Sequence, residues 1–190
     1  MSNDTPAVFI APILAPSFGA WVKVDSGTDP DDLHARGREI VRRFNREYPE
    51  DGPAEEYAVV DSEGFAVRLG ETADFEYVVW LATLTEEAGD DVDALRAWIE
   101  NQGAEYTLYD NGKRREVEEV MDSFRDDFLG VYDDVEAYVY QYVEDTGLLD
   151  GVSETIKRYF DYKAFARDAE LSGDIWTVRV PGGLAIFSNH

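Results

Sequence analysis

The sequence predicts an α+β fold in three small modules: an N-terminal α+β module over 1–68, a central helical module over 69–103 and a C-terminal α+β module over 104–190. Three observations predict it. Short β-type runs stand at both ends of the chain. Helical periodicity fills most of the middle, and the pattern changes at about Thr72. The 190 residues are 44 % hydrophobic and 13 % aromatic, enough to bury a core.

AVFIAPIL (Ala7 to Leu14) and GAWVKV (Gly19 to Val24) read as strands joined by a Pro/Ser/Gly turn. A helix follows. Asp29 is its N-cap, Pro30 takes the first helical position, and Asp31 and Asp32 suit the positive end of the dipole. Leu33, Gly37, Ile40, Val41, Phe44 and Tyr48 share one face. Pro49 to Pro53 end the helix, and EEYAVVD and GFAVRL read as strand material around Ser62–Gly64.

DFEYVVWLATL is too apolar for a surface helix and too long for most strands, so it reads as a buried helix. VDALRAWIENQG forms a second helix, stopped at Gly103. YTLYDNGKRR holds a short strand and an Asn111–Gly112 turn. REVEEVMDSFRDDFLG reads as one amphipathic helix. VEAYVYQYVEDTG is another, with Gly147 as its stop. SETIKRYF and DYKAFARDAELSG read as short helices, with Ser153 as a cap. IWTVRV and LAIF flank Pro181–Gly182–Gly183 as a β-hairpin.

Charge is the main functional clue. The chain has 41 acids against 17 Lys and Arg, a formal net charge of -24. Such a surface disfavours direct nucleic-acid binding, which needs a positive footprint. Two explanations compete: adaptation to a saline cytoplasm, in which net charge preserves solubility, and imitation of a polyanion. Residues 61–110 hold 13 acids and 2 bases, although this is the shortest third of the chain. Uniform salt adaptation does not require that.

Chemistry finds little support. With no Cys, disulfide and thiolate chemistry are excluded. The two His are His34 and His190, and no Zn-hydrolase spacing, G-x-S-x-G or phosphate loop occurs. DSGTDPDD (Asp25 to Asp32) offers spaced oxygens, but Pro30 and the missing twelfth-position Glu break the EF-hand pattern; helix capping explains it better. No cofactor or metal is expected. MSNDTPAVFI lacks a basic region followed by a long apolar one, and no run of eighteen apolar residues exists, so neither a secretory signal nor a membrane span is expected and a cytoplasmic protein is the simplest reading.

Carboxylate placement is more informative. On a helical wheel over 114–128, Val117, Val120, Met121, Phe124 and Phe128 cluster. Glu119, Asp122 and Asp126 lie opposite, with Glu118 and Asp127 on the flanks. At about 1.5 Å per residue, Glu119 to Asp126 spans roughly 10 Å. One DNA strand sets a phosphate every ~3.4 Å of axis, so the linear charge densities are comparable. A second cluster, EEAGDDVD, holds Glu86, Glu87, Asp90, Asp91 and Asp93. A solvated helix face and an ordinary helix start are the plain alternatives. A net charge of -24 equals that of about 40 Å of duplex, and a dimer's that of about 80 Å. Against this trend, Arg36, Arg38, Arg42, Arg43 and Arg46 crowd the first helix, with Glu39 placed to pair with Arg43.

FLGVYDDVEAYVYQYVEDTGLLDG, then YFDYKAFARDAELSGDIWTVRVPGGLAIF, resemble the ArdA-type antirestriction proteins. The likeness rests on Gly130, Tyr132, Tyr142, Glu144 and Gly147, then Tyr159–Phe160–Asp161–Tyr162, Phe165–Ala166–Arg167–Asp168 and Gly173–Asp174, in that order and spacing. ALRAWIENQG and the Gly-x-Trp of GAWVKV add to it, whereas APILAPSFG departs from the family's Tyr/Asn-rich stretch. The resemblance implies an elongated, curved homodimer that is not an enzyme. It implies occupation of the DNA groove of type I restriction–modification enzymes through their modification and specificity subunits. Glu86, Glu87, Asp90, Asp91, Asp93, Glu118, Glu119, Asp122, Asp126, Asp127, Asp133 and Asp134 would then stand for phosphates. The antirestriction motif and dimer region would include Leu148, Leu149, Tyr159, Phe160, Asp161, Tyr162, Phe165, Arg167 and Asp168. A salt-adapted acidic module aimed at another DNA-binding or defence protein is the alternative. Read from the residues alone, Tyr159, Phe160, Tyr162, Phe165 and Leu171 are packing residues, in a core or a dimer seam.

Overall fold

Strand β1 (Ala7–Pro12) is apolar along its whole length because it is the central strand of a sheet. In the computed structural model, which describes residues 5–70 and 73–189, it pairs antiparallel with β2 (Ala20–Lys23) on one side and β3 (Tyr57–Glu63) on the other. Thr72, where the sequence pattern changes, and His190 lie outside the described residues, as do Met1 to Asp4. Helix α1 (Pro30–Glu47) covers the sheet. Asp29 caps it by accepting from the Asp31 N–H at 2.9 Å, and Leu33, Gly37, Ile40, Val41 and Phe44 are buried as the wheel requires. Tyr48 is instead exposed just past the helix end. Gly37 has a packing reason: a Cβ there would lie 2.3 Å from the Tyr57 ring.

GFAVRL does not pair as a strand. Its backbone groups are taken by side chains from later helices. Arg96 Nε donates to the Ala66 carbonyl at 3.1 Å and its Nη2 to the Phe65 carbonyl at 3.0 Å, while the Ala66 N–H donates to Thr85 Oγ1 at 2.9 Å. Phe65 and Ala66 are buried in that arrangement. These side chains therefore replace the hydrogen bonds of a hairpin partner.

Helix α2 (Phe75–Ala88) buries residues around most of its circumference, as its composition predicts; Asp74 caps it. Helix α3 (Val92–Gln102) ends at Gly103, and a one-turn helix, α4 (Ala104–Thr107), follows. The two-residue strands β4 (Tyr109–Asp110) and β5 (Lys113–Arg114) form a hairpin in which Asn111 and Gly112 both have positive φ, as a type I′ turn demands. Helix α5 (Val117–Asp127) buries Val120, Met121 and Phe124.

The expected helix over REVEEVMDSFRDDFLG stops at Asp127, and strand β6 (Phe128–Tyr132) begins at once. Phe128 still packs in phase with Phe124, ring centroids 4.8 Å apart, so the wheel placed it correctly for another reason. Helix α6 (Val135–Thr146) ends at Gly147, and a short α7 (Glu154–Lys157) and α8 (Tyr162–Ser172) follow. Ser153 stands at the N-cap position of α7 but makes no side-chain cap bond. The terminal hairpin is β7 (Ile175–Val180) and β8 (Gly183–Ser188), in a sheet ordered β6-β8-β7.

Strand β8 joins two cores through its alternation. Ala185 and Phe187 enter the principal cluster, which runs from Val8 through Leu81, Trp98 and Phe124. Ile186 enters a second cluster with Val135, Val139, Val143, Ala166 and Ile175. The principal cluster thus continues across residues 68 and 103. Helices α6 and α8 cover the other face of the C-terminal sheet.

Candidate functional site

One residue from each of the two acidic clusters lines a common groove. Glu87, near the end of α2, shares a groove with Glu118 and Arg125 of α5, floored by Thr83, Val117 and Met121. Packing of α2 on α5 brings together residues more than thirty positions apart in sequence. Glu86, Glu87, Asp90, Asp91, Glu118, Glu119, Asp122, Asp126, Asp133 and Asp134 are all exposed.

Several of these carboxylates have local work. Glu86 Oε2 accepts from the Ser26 N–H at 3.2 Å, tying the end of α2 to the loop before α1. Asp93, half-buried, pairs with Arg96. Glu119 accepts from the Glu116 N–H at 3.3 Å, closing the first turn of α5. Asp134 caps α6 by accepting from the Ala137 N–H at 2.8 Å, and Asp122 lies 3.6 Å from Arg125. Asp91 precedes α3 without a side-chain cap bond. Partial burial, and then the Asp90 carboxylate, raise its pKa above the usual value. Asp127 departs most from expectation. It is only half exposed, and its Oδ2 accepts from Trp98 Nε1 at 2.7 Å, so it belongs to the fold rather than to a free acidic face.

Ion pairing leaves the clusters largely uncompensated. Every ion pair among the described residues joins positions no more than three apart. The arginines that reach further hold backbone or aromatic groups instead. Arg115 donates to the carbonyls of Thr107 and Glu119 at 2.9 and 2.7 Å, and Arg114 lies over the Tyr77 and Trp80 rings. On α1, Glu39 pairs with Arg36 rather than with Arg43. Arg43 is drawn inward, 4.6 Å from the Phe18 ring centroid. Asp29 and Asp25 in DSGTDPDD serve turns and the helix cap: Asp25 Oδ1 accepts from the Gly27 N–H and from Thr28 Oγ1.

In the stretch Leu148–Asp174, Leu149, Phe160, Tyr162 and Phe165 pack partly buried against the second core. Tyr162 stacks on Tyr140 at 3.8 Å, and Phe160 lies 5.7 Å from Phe165. Asp161 caps α8 by accepting from the Ala164 N–H, and Arg167 pairs with the adjacent Asp168. Tyr159 and Leu171 are not part of this chain's core: they are 84 % and 78 % exposed, which leaves the seam half of the packing reading. Leu148, Ile156 and Tyr140 are also exposed.

The family model for antirestriction protein (ArdA) matches residues 16–181. The chain belongs to the ArdA antirestriction family. This is a family of inhibitory proteins rather than enzymes, directed at restriction–modification systems. The match confirms the resemblance carried by the C-terminal motifs, and it includes both acidic clusters and α1. No curated protein matches the chain. Among the described residues, no helix is long and apolar enough to cross a membrane.

Proposed function

We propose that this ArdA-family chain is a DNA mimic. It occupies the DNA-binding groove of a type I restriction–modification enzyme, against the modification and specificity subunits, and inhibits without catalysis. The observation that carries this reading is that Glu87 and Glu118, one from each acidic cluster, line the same α2–α5 groove. Their neighbours Asp90 and Asp126 are exposed and have no ion-pair partner among the described residues. A basic groove selected for phosphates can make charge contacts with such carboxylates as well.

The inhibitor acts in the cytoplasm as a homodimer, its copies meeting over exposed apolar side chains such as Leu148, Ile156, Tyr159 and Leu171. The dimer doubles the length of the acidic surface and gives the elongated, modular form the reading requires. The chain itself binds no nucleic acid. Competition decides the matter. Purified protein should displace duplex DNA from the modification–specificity core, and the displacement should weaken as salt rises from about 0.1 to 1 M, where the Debye length falls from about 10 to 3 Å. No displacement at low salt would sink the proposal and favour a salt-adapted module with a different DNA-binding or defence target.

A further inference from the structure

Helix α1 carries a positive stripe that the mimicry of DNA does not use. Arg38, Arg42 and Arg46 follow one another at four-residue spacing, so they share one face over about 12 Å. All three are exposed. The other two arginines of the helix are engaged, Arg36 with Glu39 and Arg43 with Phe18 and the Gly19 carbonyl. No carboxylate pairs with Arg38, Arg42 or Arg46 among the described residues, in a chain with 41 acids to offer. The opposite face of α1 is packed into the protein through Leu33, Gly37, Ile40, Val41 and Phe44, so the stripe is not needed to hold the helix down.

The geometry points to a docking role. We propose that Arg38, Arg42 and Arg46 bind a carboxylate-bearing face on the target enzyme, beside the basic groove that receives the acidic surface. This rests on the DNA-mimic reading and adds a contact that DNA cannot make, since DNA presents no cations. Two surfaces of opposite sign on one chain fix orientation, because each is repelled where the other is attracted. Charge also decides against a nucleic acid, which would approach a chain of net charge -24.

The test uses the opposite signs of the two effects. Arg38→Glu, Arg42→Glu and Arg46→Glu together make the protein more acidic. If general attraction to a basic groove were all that mattered, the variant would compete with DNA as well as wild type or better. Docking predicts instead a competition constant at least about tenfold weaker, against the purified modification–specificity core at about 0.1 M salt. The Arg→Gln triple variant should weaken in the same direction and guards against misfolding of the reversal, with circular dichroism and thermal midpoint as fold controls. Equal or tighter competition by either folded variant overturns the proposal. So does a wild type whose Arg stripe is found to bind duplex DNA, or whose higher-mass species alone is lost in the variants. A wild type that never competes defeats the DNA-mimic reading, and this docking falls with it.

Discussion

Trp98 donates its indole N–H to the Asp127 carboxylate across 2.7 Å, joining α3 to the last residue of α5. Trp98 is 3 % exposed and packs edge-on against Phe124, so the donor is buried and needs this acceptor. Asp127 lies next to Asp126 in sequence, yet the two have opposite roles. Asp127→Ala should cost about 1–3 kcal/mol of stability, the cost of leaving a buried donor unpaired. Asp126→Asn should cost close to nothing. Chemical denaturation of the two variants checks the contrast.

Gly37→Ala sets two effects against each other. In an exposed helix the change would gain about 1 kcal/mol in propensity. Here the new Cβ would fall 2.3 Å from the Tyr57 ring, which is itself packed against Phe75 and hydrogen-bonded to His34. Overpacking costs about 1–3 kcal/mol, so a net loss of stability is expected. A rise in the thermal midpoint would show that Tyr57 swings aside freely.

The legibility of the chain follows from range. Helix α1 could be read because its cap, its Pro and its apolar spacing are all local. The stop at Gly147 and the Asn111–Gly112 turn are local too. Strand β6 could not, because Phe128 continues the apolar phase of α5 and only pairing with β8 makes it extended. GFAVRL failed as a strand because its hydrogen-bond partners are Arg96 and Thr85, both distant in sequence. The acidic surface was half legible. The wheel found the exposed side of α5, but the meeting of Glu87 with Glu118 depends on how α2 packs on α5, and the claim of Trp98 on Asp127 is just as non-local.

A distributed charge surface predicts a distributed mutational response. Asp126→Asn alone should change competition with DNA by less than about twofold, within what an exposed charge contributes. Neutralising Glu87, Glu118, Asp122 and Asp126 together should weaken it by about tenfold or more at low salt and by much less at 1 M, where screening is nearly complete. Complete loss from the single substitution would instead indicate a discrete site.

Tyr159 and Phe165 separate an intermolecular seam from the core. Phe165 is partly buried against the second core, so Phe165→Ala should destabilise the chain itself. Tyr159 is 84 % exposed, and Tyr159→Ala combined with Leu171→Ala should leave the far-UV spectrum unchanged. If these residues form the dimer contact, sedimentation of the double variant should show the mass falling toward the monomer. An unchanged dimer mass would place the seam elsewhere.

Asp91 gives a prediction with a definite sign in pH. Its pKa is raised in the fold by partial burial and then by Asp90, so the folded chain holds this proton more tightly than the unfolded chain does. The ionised form is therefore a small liability at neutral pH. That liability disappears once the pH falls below the unfolded value of about 3.9, where both states are protonated. Asp91→Asn removes the charge at every pH, and no side-chain cap bond is lost with it. The variant should be slightly more stable than wild type at pH 7, and the gap should close as the pH approaches about 4. Thermal midpoints measured in parallel from pH 7 to 4 give the comparison; a variant less stable at pH 7 would mean that Asp91 stabilises the start of α3 through its charge at the helix dipole.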